Sequence, residues 1–537
     1  MRSIISTLVL SALVLAQGSP GVPSVEELIT IDSLAAPLEF LSSDAMEGRG
    51  VGSRGDRLAR DYIATTLRMF GCNGGMSDGS FQQPVPIVGI RSALDAPVTL
   101  VGPKGSLVAR SPEEFTLWAA RPDAQSIWRE AEVVFIGYGI VAPEFQWDDY
   151  KGCDLAGKIA LVMNNDPSTD PTLFAGSTRL YYGRWSYKYE ETARRGAIGT
   201  IVIHTTPSAG YPFQVIQAGN GQEHFFLPFS GRPALPINAW CSEDAAKALC
   251  VLGGHDLEVL RAAAEKRDFK PVPLGVRAST TLNNTVREVQ SGNVVARLEG
   301  SDPTLKAQHV VVSAHFDHLG IGQEKSGDSI YNGALDNASG CAAMLALARA
   351  VTALPVRPKR SIIFTSVTAE ESGLLGSEYF ANNLPMPVKS IVGNYNIDGI
   401  NIWGRTKDLA MVGYGKNSLT ALAAEVAARR GRVFEADPEG DKGLFYRSDH
   451  FNFARVGIPC AYFKSGSDFI EDGEKRRRVK QAYTTFHYHQ PSDQMDARWR
   501  LDGAVEDTRL MLECLLRTAN DAAVPTWTAG DEFEKAR

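Results

Sequence analysis

VVVSAHFDHLG, residues Val310 to Gly320, sets an apolar run against an abruptly polar end. Val310 to Ala314 reads as a strand buried on both faces, as expected of a parallel sheet covered by helices. His315, Asp317 and His318 then place three ionisable groups within four positions. Such groups are costly at the end of a buried strand unless something binds them. Strand alternation alone puts His315 and Asp317 on one side and His318 on the other. It does not decide whether Asp317 is a ligand or a support.

The same alternation of element types continues outward. RSIIFTSV and SIVGNYNI are further β-rich runs. NASGCAAMLALARAVTAL reads as a helix stopped by Pro355. NSLTALAAEVAARRG reads as a second, with Arg429 and Arg430 favourably placed in its last turn. From Asn293 onward, strand and helix in turn predict an α/β fold, a three-layer α/β/α sandwich with a mixed central sheet. Upstream, Asp56 is expected to cap a helix carrying Leu58, Tyr62, Ile63, Leu67 and Phe70, stopped by Gly71. Between about 98 and 276, short β-like runs (AEVVFIGYGI, KIALVM, GTIVIH) alternate with Pro, Gly and Asn turns. SYKYEETARRGA, ending at Gly196, is the one clear helix there. No internal repeat or low-complexity linker is present.

The 537 residues are 44% hydrophobic and 22% charged, with a formal net charge of -7. That composition is close to an ordinary globular protein and allows a large core. No concentrated basic surface is indicated, so nucleic acid is not an expected partner. EDGEKRRRVK, Glu471 to Lys480, is the main charge run and is read as a solvated loop. Arg2, the apolar IISTLVLSALVLA and the small residues before Gln17 read as a signal peptide over residues 1–16. The run is too short to span a bilayer comfortably. The expectation is therefore an exported protein, periplasmic or extracellular, without stable membrane insertion. Seven cysteines permit disulfides after export, and their odd number leaves at least one unpaired within the chain. Cys241 and Cys250 are the closest pair in sequence. No CxxC supports a cysteine zinc site.

Two familiar patterns fail on context. Gly50 to Gly55 matches GxGxxG, but polar SSDAMEGR precedes it instead of a strand. Gly75 to Gly79 matches GxSxG, but GCNGGMSDGS is a glycine-rich loop and not a strand–turn–helix elbow for Ser77.

Five features at the ends of β-like runs, or in the loops between elements, remain. They are His315 with Asp317, Asp336 in NGALDNASG, the pair Glu370 and Glu371, Asp398 in NID, and His489 in YHQPSD. Singly, each has an ordinary structural explanation, as a satisfied histidine, a turn or capping aspartate, or acids favouring a helix N-terminus. Together they fit a pair of divalent metals. Imidazole and carboxylate are good zinc ligands, a carboxylate has two oxygens with which to bridge two ions, and one further carboxylate is needed as general base.

AHFDHLG, GALDNASG, TAEESGLLGSEYF, NID and YHQPSD, in that order, resemble the co-catalytic di-zinc aminopeptidases and their glutamate-carboxypeptidase-like relatives. The resemblance runs from about 293 to 520, and MEGRGVGSRGDRLARDYIATTL resembles the family's N-terminal segment. VFIGYGIVAPEFQWDDYKGCDLAGKIALV more loosely resembles an inserted protease-associated domain. The implied organisation is a peptidase domain over 24–97 and 277–525, interrupted by that domain at 98–276.

The resemblance implies two Zn2+ ions: His315 and Asp398 on one, Glu371 and His489 on the other, and Asp336 on both. It implies Glu370 as general base and Asp317 as the carboxylate orienting His315. Tyr488 matches a tyrosine that polarises the substrate carbonyl in some members, though an interfacial structural role fits it equally. His318 is left outside this set, as a structural residue or one lining the cleft. The implied activity is removal of N-terminal residues from peptide substrates by a metal-activated water. Carboxypeptidase relatives use basic groups to receive a C-terminal carboxylate. In YRSDHFNFARVGIP, which resembles a pocket-lining segment, Arg447 is open to that role or to simple pairing with Asp449. The alternatives are a carboxypeptidase, a single-zinc glutaminyl cyclase on a similar fold, and a receptor-like binding protein that has lost catalysis. The complete ligand set argues against the last.

Overall fold

The computed structural model describes residues 24–176, 178–228 and 233–536. The expected signal peptide at 1–16 lies outside them. The strand His309–His315 is central, flanked in parallel by Ser361–Val367 and Ile391–Asn396. Cys460–Ser465 continues the parallel run, while Asp408–Val412 and Val272–Leu298 enter antiparallel, making the sheet mixed.

Alternation along the central strand builds the layers. Val310, Val312 and Ala314 face one core together with Ile362 and Phe364. Against them pack the helices Ile31–Leu41, Arg54–Met69, Ser339–Thr352 and Asp502–Asn520. Ser339–Thr352 is buried almost all round, consistent with its continuous apolar sequence. Val311, Ile363 and Ile391 face the opposite core, with Phe380 and Phe453 from the helices Leu375–Asn382 and His450–Arg455. This is the expected three-layer arrangement.

Two long strands, Gln82–Gly102 and Val272–Leu298, pair antiparallel from Gln82 opposite Val294 to Val101 opposite Arg277. They carry the chain out of the main sheet and back. Val294 to Leu298 pair with Ser361–Val367 in the main sheet, whereas Val98, Leu100, Val276 and Ala278 lie in a second core. The strands Gln125–Phe135, Ile159–Met163, Gly199–His204, Ile237–Ser242 and Phe115–Ala119 complete this outer part. The sequence-derived boundaries at 98 and 276 therefore fall inside two continuous strands.

Three local expectations change. Ser53, not Asp56, caps the helix Arg54–Met69, accepting from Asp56 N at 3.2 Å. Asp56 is buried in its first turn and accepts from Gly52 N at 3.0 Å. The charge run at Glu471–Lys480 is mostly helix, within Gly473–Phe486, although it has no buried residue and is solvated as expected. All seven cysteines are free thiols, with Cys241 and Cys250 together in the outer core. Among the described residues, no helix is long and apolar enough to cross a membrane.

Candidate metal centre

The parallel strands end at one crevice, where ligands bind in open α/β sheets. His315 ends its strand opposite Val367, the last residue of the adjacent strand. Glu370 and Glu371 follow Val367 after a short turn. Ala369 adopts φ 54° in that turn, a left-handed conformation unusual for a residue bearing a Cβ. Asp398 lies just beyond Asn396 on the other side. Asp336 comes from the turn preceding the helix Ser339–Thr352, and His489 from the loop after Gly473–Phe486 with φ 56°. Sheet topology thus brings together residues up to 174 positions apart, from His315 to His489.

Asp336 occupies the middle. Its Oδ1 lies 3.3 Å from His315 Nε2, and its Oδ2 lies 3.1 Å from His489 Nε2. Asp398 Oδ1 is 3.4 Å from the same His315 nitrogen. Glu371 reaches His489 Nε2 with Oε2 at 3.0 Å and His318 Nδ1 with Oε1 at 2.7 Å. Two sets of ligand atoms result: His315, Glu370 and Asp398, and His318, Asp336, Glu371 and His489. The inner side is closed, whereas the His489 side chain is 33% exposed and Tyr488 beside it is 46% exposed. Tyr488 stacks on the His489 ring at 3.9 Å, on the open side of the crevice.

The electrostatics favour cations. Burial works against charge on His315 and His489, yet the carboxylates around them prevail. They hold His315 well above the ordinary imidazole range and His489 up to about 10. Burial likewise opposes ionisation of Asp336 and Glu371, but their histidine partners hold Asp336 well below the usual range and Glu371 down to about 2. Glu370 differs: burial, reinforced by Asp398 and Glu371, holds it well above the carboxylate range despite His315. Among the described residues, no lysine or arginine forms an ion pair with Asp336, Glu370, Glu371 or Asp398. The nitrogen and oxygen donors suit zinc. Their surplus of negative charge gives divalent cations a physical reason to bind.

Surrounding groups fix these side chains. His315 Nδ1 faces the Asp317 carbonyl at 3.3 Å and its carboxylate at 3.8 Å, which directs Nε2 toward Asp336 and Asp398. The Asp317 carboxylate has a second task, accepting from Glu370 N at 3.0 Å and Glu371 N at 3.3 Å. Burial pushes its own pKa up to about 8. Asp493 accepts from Leu335 N and Asp336 N at 2.9 and 3.2 Å. Asn337 donates to Ile397 O and accepts from Gly399 N, each at 2.9 Å, bracketing Asp398.

Arg49 reaches the centre from a distant part of the sequence, up to 284 positions away. It is wholly buried, and its guanidinium donates to the carbonyls of Phe316, Leu41, Asn332 and Gly333 at 2.5–2.8 Å. One side chain thereby ties the His315 loop to the Asp336 loop. Sequence reading assigned no role to Arg49, Asp493 or Asn337, although each lies in a quoted motif. It also separated His318 from the metal set by alternation, but regular strand geometry ends at His315. Beyond that point the chain turns and returns His318 to the centre. Gly333, at φ +56°, makes room for it, since a Cβ there would lie 2.4 Å from His318 Cγ.

Residues 293–512 match the profile of Peptidase family M28. The M28 segment carries all seven ligand-bearing residues of the two sets. The chain is 30% identical over 202 residues to leupeptin-inactivating enzyme 1 of Streptomyces exfoliatus, covering 37% of this chain and 42% of that one. It is 26% identical over 255 residues to aminopeptidase NAALADL1 of Rattus norvegicus, covering 38% and 32% respectively. It is 29% identical over 209 residues to probable leucine aminopeptidase 2 of Aspergillus fumigatus, covering 37% and 38%. The matches thus span less than half of each relative's length. The fold is similar to that of an aminopeptidase from Aneurinibacillus sp. strain AM-1, with a TM-score of 0.53 at 20% identity, covering 93% of this chain and 97% of that one.

Proposed function

We propose that this protein is an exported, zinc-dependent exopeptidase that removes N-terminal residues from peptides. The observation carrying this reading is the Asp336 carboxylate, with one oxygen directed at His315 and the other at His489. In this reading His315 and Asp398 would hold one zinc and Glu371 and His489 the other, with the Asp336 carboxylate available to both. Bound zinc supplies Lewis acidity, which acidifies water and polarises a peptide carbonyl.

The chain's own residues supply the proton chemistry. Glu370 is buried beside the ligands without a basic partner, which suits a carboxylate that takes a proton from the attacking water and returns it to the leaving amine. Asp317 holds the Glu370 backbone and faces the His315 ring. Tyr488, at the open side, presents a hydroxyl for the developing oxyanion. No covalent intermediate is required. The outer part built on the second core is read as a protease-associated domain, and the N-terminal run as an export signal. Names of relatives containing "aminopeptidase" support the N-terminal specificity.

The test is hydrolysis of aminoacyl and carboxy-terminal chromogenic substrates by purified protein, with chelator and with zinc restored. Chelator-sensitive release from the aminoacyl series is expected, with close to two zinc ions per chain. A metal-free, chelator-insensitive protein would favour the binding-protein reading, and cyclisation of N-terminal glutamine with one zinc would favour the cyclase.

A further inference from the structure

The turn that presents Glu370 and Glu371 is closed by a side chain from another strand. Val294 opposite Ser366 is the last pair between the strands Val272–Leu298 and Ser361–Val367. Just beyond it the ladder ends, and the buried amide of Asn293 takes over. Its Oδ1 accepts from Thr368 N at 3.0 Å, and its Nδ2 donates to Gly376 O at 2.9 Å. One amide thereby spans both ends of the turn 368–376, which Gly376 N closes on Thr368 O at 2.9 Å. The orientation of the amide follows from its partners, because a backbone N–H only donates and a carbonyl only accepts. The fit is close: a Cβ on Gly376 would lie 2.2 Å from Thr368 O and 2.6 Å from Asn293 Oδ1.

Neighbouring groups fix Asn293 in turn. Nδ2 also donates to Gln83 Oε1 at 2.9 Å, and Gln83 Nε2 donates to Asn383 O at 2.8 Å, just past the helix Leu375–Asn382 that follows the turn. Gln83 and Asn293 face each other at the foot of the two long strands leading to the outer part. Ser291, near Asn293 in the same strand, donates to Asp56, and its Oγ lies 2.6 Å from Thr368 Oγ1. Asn293, Thr368, Asp56, Gln83 and Ser291 are all buried. Buried polar networks are rigid when their members are fully partnered. Inside the turn, Ala369 is held at φ 54°, a conformation that costs free energy and persists only where the surroundings hold it. Asp317, which follows the strand on the other side of Ser361–Val367, grips the same turn through Glu370 N and Glu371 N.

We propose that Asn293 is a positioning residue for the reaction: its amide ties the two ends of the turn 368–376 and so sets where the Glu370 carboxylate stands in the crevice. This rests on the exopeptidase reading above, in which Glu370 is the base. Asn293 belongs to neither ligand set, and it acts through the backbone at Thr368 and Gly376. Glu371, in the same turn, is fixed in addition by His318 and His489. The base is therefore the group most sensitive to a change at Asn293. A misplacement of about 1 Å at a reacting centre costs about 10²-fold in rate.

The test measures zinc content, kcat and KM of zinc-loaded full-length protein with aminoacyl chromogenic substrates, together with hydrogen exchange read by mass spectrometry. Asn293→Ala is expected to keep the wild-type zinc content and a KM within about twofold of wild type, while kcat falls about 10–100-fold. Exchange should quicken over 368–376 and stay at the wild-type rate over the central strand, 310–314. Thr368→Val replaces one hydroxyl of the same network by a methyl group and should show the same pattern more weakly. Thr368→Ser keeps the hydroxyl and should return kcat close to wild type. These two variants decide the matter if Asn293→Ala does not fold. A wild-type kcat in Asn293→Ala would overturn the proposal, and so would loss of zinc with faster exchange throughout the M28 segment, which would mark a general role in stability. If the wild-type protein cleaves no peptide, the exopeptidase reading fails by itself, and exchange still decides whether Asn293 holds the turn. Unchanged protection over 368–376 in Asn293→Ala would overturn that hold.

Discussion

His318 donates from Nδ1 to Glu371 Oε1 at 2.7 Å, which places it beside the metal centre that its sequence position alone assigned to its neighbours. The imidazole fixes the carboxylate whose other oxygen meets His489. Groups that orient metal ligands typically contribute 10–100-fold to affinity. His318→Ala should weaken one zinc by about that factor while the other is retained. Competition with a chromogenic chelator reads both affinities. Complete loss of one equivalent would instead make His318 a ligand.

Glu370 and Asp336 should separate catalysis from metal retention. Glu370→Ala is expected to keep both ions by elemental analysis while turnover falls about 10²–10⁴-fold. Asp336→Ala removes the oxygens facing both histidines and should release metal. A Glu370→Ala protein with near wild-type rates would sink the assignment of the base.

The strand ends were legible because continuous apolar runs, buried on both faces, stop abruptly at ionisable residues, and His315, Glu370, Glu371 and Asp398 all come at or just after the ends of such runs. Asp336 and His489 were less so, since loop residues approach the centre only through the fold. Two features were hidden for different reasons. The contact of His318 with Glu371 was hidden because alternation was extended past the last residue of the strand. Arg49 had no local signal, since it lies 266 positions from His315 in sequence and acts on backbone carbonyls, which carry no sequence identity. The solvated run at Glu471–Lys480 shows the converse limit, because charge predicts exposure but not whether an exposed segment is helix or loop.

Arg49 gives a prediction of its own. Arg49→Met keeps much of the volume but strands four carbonyl oxygens, those of Leu41, Phe316, Asn332 and Gly333. An unsatisfied buried polar group costs about 1–3 kcal/mol, so a loss of at least about 3 kcal/mol is expected in denaturant unfolding. Because the same bonds tie the two ligand loops together, zinc affinity should fall as well. Restoring stability with a compensating substitution elsewhere should leave that affinity defect in place, whereas a purely general effect on folding would disappear with it.

His450 should make the fold acid-sensitive. It is wholly buried, lies edge-on to Phe445 at 4.7 Å, and neither ring nitrogen has a partner among the described residues. Burial pushes its pKa down to about 3, against about 6.5 when unfolded. Between those values the unfolded chain binds the extra proton and the native chain does not, so stability rises with pH across the window and is lost as pH falls from 6.5 toward 3. The slope attributable to this residue reaches roughly 1.4 kcal/mol per pH unit. His450→Phe removes the titrating group while keeping an aromatic ring. In urea unfolding between pH 7 and pH 4 the variant should lose less stability per pH unit than the wild type. Parallel slopes would mean that other groups set the acid limit and that His450 is protonated in the native state.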